Sequence, residues 1–288
     1  MTDTQEKYAN KIAKLLAKAE STSPEEAEIL IAKAQELMAQ YAVEEAMIDA
    51  ARGVERDEIE QRTVVFTGNN RAELADLAWR ICQVNDCKVV QWQTTVVDEE
   101  GRKAVRVRRN WRSGQYEAEV TNRKKAIKYE ITGFRSDLER ILLLESSLRL
   151  QAISSLTNWW RDEGKAQYDW ETYSHKVRIK QEFLEGFTNS VHSKLQTAKR
   201  TGQQAAVKVE AKRTHATDES AGESVALVLR SRKDRVDDWY DKHYGKLRKG
   251  RSSYKQSLSG SAYHSGTAAG ARADVGQSQV RGRKGLNR

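Results

Sequence analysis

Proline is almost absent from this chain: Pro24 is the only one in 288 residues. Proline removes a backbone donor and breaks helix interiors. Its scarcity permits long helices and argues against a many-stranded sandwich with proline-rich turns. Cysteine is nearly as scarce. Cys82 and Cys87 are too few for a disulfide framework or a four-cysteine metal site, and they point to a reducing cytoplasm. They are expected to be small buried hydrophobes. Long apolar runs are missing as well. The most apolar stretch, Ile141 to Leu144, is far shorter than the roughly 20 residues that span a bilayer. Met1 to Asn10 is polar, so neither a signal peptide nor a membrane partner is expected.

The familiar signatures of catalysis do not occur. No glycine-rich turn ends in Gly-Lys-Ser or Gly-Lys-Thr, and there is no Gly-x-Ser-x-Gly elbow. The five histidines are His175, His192, His215, His243 and His264, and no two stand one helical turn apart. A zinc-hydrolase helix needs such a pair. Asp237-Asp238 and Asp98-Glu99-Glu100 look like a solvated helix face and a turn. No catalytic residue, metal ligand or cofactor is therefore predicted. A metal-dependent hydrolase with a site assembled from distant segments stays open as a third reading.

Charge, by contrast, is plentiful. Charged residues make up 32% of the chain, against roughly 25% in an average globular protein. There are 50 basic and 41 acidic residues, a formal net charge of +9. From Gly245 to Arg288 stand ten bases: Lys246, Arg248, Lys249, Arg251, Lys255, Arg272, Arg281, Arg283, Lys284 and Arg288. Only one acid, Asp274, accompanies them, and the rest of the chain balances at 40 against 40. A localised basic segment attracts polyanions in a way that scattered charge does not.

The pattern predicts an α+β protein: an N-terminal helical hairpin, a small antiparallel sheet with long packed helices, and a basic, partly disordered C-terminal tail. The hairpin domain is placed at 1–54. Ile12, Leu15 and Leu16 stripe one helix; Leu30, Ile31, Leu37 and Met38 stripe the next; Ser23, Pro24 and Glu26 form a capping box between them. The α+β domain is placed at 59–200. Its expected strands are Arg62 to Thr67, Lys88 to Val97, a return strand Arg102 to Arg108 paired with it, and Ala126 to Thr132. One long helix begins near Ser136, with Leu138, Ile141, Leu142, Leu148, Ile153, Leu156 and Trp160 as its apolar face, and a second runs from about Ser174 to Lys199, with the stripe Val177, Leu184, Phe187, Val191 and Leu195. The basic extension is placed at 201–288, with one helix over 223–244 and a flexible end from Lys249.

Two surfaces are candidates for nucleic acid. On the return strand, alternation puts Arg102, Arg106 and Arg108 on one face, followed by Trp111 and Arg112, with Trp92 on the strand expected to pair with it. Basic side chains and aromatics on a sheet can hold phosphates and stack bases. The alternative is an ordinary wet face with its arginines paired to Glu99, Glu117 or Glu119. The second candidate is the tail: Lys246, Arg248, Lys249, Arg251, Arg281, Arg283 and Lys284. Its alternative is a solubilising tail.

Lys11 to Glu20, Ser23 to Glu28 and Ala32 to Tyr41 together resemble domain-of-unknown-function family 2786 of bacteria and bacteriophages. Ile131 to Glu139 (ITGFRSDLE) and Phe183 to Phe187 resemble the domain that commonly follows that hairpin, and Ala268 to Asp274 the tail of its actinobacterial and actinophage members. The resemblance implies a bacterial cytoplasm, or that of the host cell for a phage-encoded protein. It carries no activity. The expectation is a non-catalytic nucleic-acid-binding accessory protein with DNA or RNA as a low-specificity partner. The competing reading is a protein-interaction or assembly module that docks a protein partner through the hairpin.

Overall fold

The computed structural model describes residues 58–97, 104–109, 115–121, 123–247 and 260–273, with positions 11, 12, 14, 15, 18, 33, 36 and 37 of the N-terminal segment. The expected hairpin otherwise lies outside the described residues. Its described positions are helical, and Ile12 and Leu37, one from each predicted stripe, are buried in the core.

Strand β1 (Ile59–Thr67) leads through Gly68 into helix α1 (Arg71–Val84), and β2 (Lys88–Val97) follows. After β3 (Ala104–Arg109) and β4 (Tyr116–Thr121) comes β5 (Arg123–Phe134). The three long strands form one antiparallel sheet in the order β1-β5-β2. β5 is central because it is the strand with most to bury: Ala126, Ile127, Tyr129 and Ile131 are all buried. Phe66, Ile127, Tyr129 and Ile131 join the core cluster with Leu74, Leu77, Ala78 and Ile81 of α1. Helix α2 (Arg135–Trp159) grows directly out of β5 and adds Leu138, Ile141, Leu144, Leu148 and Leu156.

The expected pairing of the return strand with β2 is overturned. β2 pairs with β5, while β3 pairs with β4 in a separate two-stranded sheet. The β3–β4 register sets Arg106 opposite Glu119 and Arg108 opposite Glu117. β2 offers glutamine, tryptophan and threonine at its centre and no acid.

Helix α2 passes through one π-helical stretch, Trp160–Gly164, and the chain turns into α3 (Tyr173–Thr214). Thr172 caps α3 by accepting from the His175 backbone N–H. The helix was expected to stop near Lys199. It runs on for 42 residues in all, roughly 63 Å, and so crosses the domain boundary set at 200. The reason is a buried stripe at four-residue spacing, Ala198, Gly202 and Ala206. Residues this small give little hydrophobic signal. His215 ends the helix in the left-handed region (φ 52°), and Thr217 caps α4 (Asp218–Tyr244), five residues earlier than the expected start at 223. α4 folds back along α3, joined by Ala206, Val207, Val225 and Leu229.

A further correction concerns the tail, expected to lack structure from Lys249. It contains α5 (Gly260–Ala271), which lies on α3. Ala262, Gly266 and Gly270 form its buried stripe, and Gly186 answers them from α3. A Cβ on Gly266 would collide with the Phe183 carbonyl, one on Gly270 with the Phe187 carbonyl, and one on Gly186 with the Tyr263 carbonyl. The two helices therefore touch backbone to backbone, and Lys194 donates to the Ala271 carbonyl at the end of α5.

Candidate functional site

Of the predicted site residues, only Arg106, Arg108 and Lys246 fall within the described residues. Arg106 and Arg108 sit in β3, whereas Trp92 belongs to β2 in the other sheet. Arg102, Trp111, Arg112, Arg248, Lys249, Arg251, Arg281, Arg283 and Lys284 lie outside the described residues. Lys246 is exposed. It follows Gly245, whose positive φ of 59° terminates α4.

The structure does assemble a different constellation on the outer face of the three-stranded sheet. Register places Val65, Lys128 and Trp92 in one row across β1, β5 and β2. Trp92 is 44% exposed and Val65 39%. The next residue of β5 on this face is Glu130. Its Oε2 accepts from Trp92 Nε1 at 2.8 Å and from the Tyr244 hydroxyl at 3.0 Å. Its Oε1 meets Lys128 Nζ at 2.5 Å. One carboxylate thus fixes an indole from β2 and a phenol from the last residue of α4. The Lys128 ammonium, helped by the Trp92 and Tyr244 donors against partial burial, holds the Glu130 carboxyl below its ordinary range. Burial, together with the bond to that carboxylate, pushes the Tyr244 phenol up to about 12. Tyr240 lies one turn back, its ring centroid 5.1 Å from that of Tyr244, and Lys88 Nζ stands 5.9 Å over it. Sequence reasoning named Trp92 but not Glu130, Tyr244 or Lys128. The available signals were the polar alternation Lys124, Lys128, Glu130, Thr132 along β5 and the i, i+4 tyrosines of α4.

A second feature is a cleft of about 60 Å³ where β5 becomes α2. The stretch Ile131 to Glu139 builds it, contributing Gly133, Phe134 and Asp137, and α3 and α4 close it with Lys199, Gln203, Arg232 and Lys233. A Cβ on Gly133 would lie 2.6 Å from the Cys87 sulfur, so the glycine lets the β5 end approach β2. Asp137 binds Arg140 and, at 2.9 Å, Arg232. Arg232 also stacks 3.7 Å over Phe134, and Lys199 pairs with Asp86. Desolvation opposes the charged form of Asp137, but the Arg232 and Arg140 guanidiniums outweigh it and hold the carboxyl below its usual range. The charges of this cleft largely satisfy one another, which makes it a polar seam docking α4.

Both cysteines are buried, as expected. Burial pushes the Cys82 thiol up to about 12 and raises Cys87 as well. Neither presents a thiolate nucleophile. His175 pairs with Glu171 at 2.7 Å on the surface, and burial lowers His192. Among the described residues, no group of three or more His, Cys, Asp or Glu could hold a metal ion. None of their helices is long and apolar enough to cross a membrane.

Residues 7–45 match the family model described as a protein of unknown function (DUF2786). The match encloses Lys11 to Tyr41, where the capping box and both predicted stripes lie. No curated protein and no solved structure matches the chain.

Proposed function

We propose that this protein is a non-catalytic nucleic-acid-binding accessory protein of the bacterial cytoplasm, or of the host cytoplasm for a phage-encoded copy. It acts through its basic C-terminal segment. One observation carries the reading: the whole formal charge of +9 resides in residues 245–288, while the rest of the chain is neutral. Such a segment neutralises phosphates and releases condensed counterions, which gives affinity with little sequence preference. The docking of α5 adds support. It ties the middle of the segment to α3, so that Lys246 to Lys255 stand before an anchored helix and Arg281 to Arg288 after it.

The test is titration of a labelled oligonucleotide by fluorescence anisotropy across a salt series. Deleting the segment would also remove α5. Neutralising Lys246, Arg248, Lys249, Arg251, Arg281, Arg283 and Lys284 to glutamine is the cleaner variant. For about seven phosphate contacts, affinity should fall on the order of a thousandfold between about 50 and 200 mM salt, and the variant should lose most of that slope. Absence of binding to DNA and RNA at about 50 mM salt would end the proposal.

The competing reading, a module docking a protein through the N-terminal helices, has less to draw on. Ile12 and Leu37 are already committed to the protein's own core.

A further inference from the structure

We propose that the outer sheet face around Trp92 and Tyr244 is a stacking platform for single-stranded nucleic acid, delivering bases to the aromatics while the basic segment holds the phosphates. This rests on the nucleic-acid reading above and specifies which form of nucleic acid is taken.

Position comes first. α4 ends at Tyr244, on the face that carries Trp92, and the first basic residue of the segment, Lys246, follows two positions later. A strand whose phosphate meets Lys246 therefore lies two residues from Tyr244, which shares the Glu130 carboxylate with Trp92. Chemistry comes second. Every base has a π face, and an exposed indole offers a partner of matching shape whatever the sequence. Trp92 keeps 44% of its surface in solvent although its polar edge is already bonded to Glu130. With the indole N–H taken by Glu130, the remaining exposed surface of Trp92 belongs to its ring carbons, which are the part that stacks. Preorganisation comes third. The Glu130 carboxylate holds Trp92 and Tyr244 from two different elements, which reduces the ordering cost of binding. Its own charge is answered by Lys128 at 2.5 Å, so the face does not repel a polyanion through an isolated carboxylate. A duplex keeps its bases stacked inside and gains nothing from such a platform.

The experiment compares an oligothymidylate about 15 nucleotides long with a duplex of the same length, by anisotropy at one low salt concentration, for the wild type, Trp92→Ala and Trp92→Phe. Single strand should bind the wild type more tightly than duplex. Trp92→Ala should weaken single-strand binding roughly tenfold and leave duplex binding unchanged, whereas Trp92→Phe, which keeps a stacking ring, should retain most of it. Thermal melts of all three proteins check folding, and the exposure of Trp92 on an edge strand makes a large loss unexpected. Salt-dependent binding that Trp92→Ala leaves intact overturns the platform and keeps the basic segment. Failure of both nucleic acids to bind overturns both readings.

Discussion

Helices α4 and α5 both come from the C-terminal third of the chain and both lie on the same body, yet they are held by opposite means. α5 docks through what its residues lack. Ala262, Gly266 and Gly270 bring its backbone against Phe183 and Phe187 of α3, and no Lys, Arg, Asp or Glu lies within it. α4 buries only Ala221, Val225, Arg232 and Val236. It is secured by charge and ring contacts: Arg232 to Asp137 and Phe134, Lys88 to Asp237, Tyr244 to Glu130. A backbone contact tolerates salt and acid but no added side chain. A polar contact tolerates some substitution but answers to pH and ionic strength.

The largest test falls on α4. Arg232→Ala leaves Asp137 with one guanidinium in a partly desolvated seam and should cost about 3 kcal/mol in chemical denaturation, the low end for a broken buried pair because both groups keep some exposure. The same contact should respond to acid. Asp137 is held below its ordinary range, so its stabilisation is complete above the unfolded value, about 3.9, and is lost as pH falls through the lower folded value. The acid limb of the stability curve should therefore be shallower in Arg232→Ala. A loss under about 1 kcal/mol would mean that α4 is held by its few apolar residues, and the contrast with α5 would disappear.

This contrast also separates what was legible in the sequence from what was not. Alternation and apolar content located β1, β2 and β5, and of the predicted α3 stripe Leu184, Phe187, Val191 and Leu195 are buried while Val177 is half-buried. Boundaries and partners were less legible. Ile153 was expected to face inward but is exposed, while Leu144, Ala152 and Trp159 take the buried face. The long helix meets the sheet first and α3 afterwards, so one stripe does not serve its whole length. The choice of β5 over β3 as partner for β2 depends on residues more than thirty positions away, such as the Trp92–Glu130 bond at a separation of 38. Glu130 and Tyr244 are 114 residues apart, beyond any local pattern. α5 was missed because glycine and alanine pack by allowing approach, which hydropathy does not register.

Two glycines one helix apart sharpen the comparison at intermediate cost. Gly222 in α4 has only Val207 nearby, its Cγ1 3.9 Å from where a Cβ would lie, whereas a Cβ on Gly266 in α5 has no room at all. Gly222→Ala should stabilise by about 0.5–1 kcal/mol, because alanine is the better helix former. Gly266→Ala should destabilise by about 2 kcal/mol, as backbone overlap forces α5 off α3. Hydrogen exchange should show residues 260–271 losing protection in Gly266→Ala alone. If both substitutions stabilise, α5 is not seated on the backbone of α3.

The smallest effect tests whether polar docking is uniform along α4. Lys88 meets Asp237 at 2.9 Å with 39% and 35% of the side chains exposed. Lys88→Ala should therefore cost less than about 1 kcal/mol, and salt near 1 M should erase the difference from wild type. Lys88 also stands over Tyr240, so a small salt-resistant remainder would report that ring contact. A loss equal to that of Arg232→Ala would place the anchoring of α4 at its C-terminal end. Tyr244 and Glu130 would then be structural pins first, and a Trp92 substitution would need to be judged by its effect on α4 before its effect on any ligand.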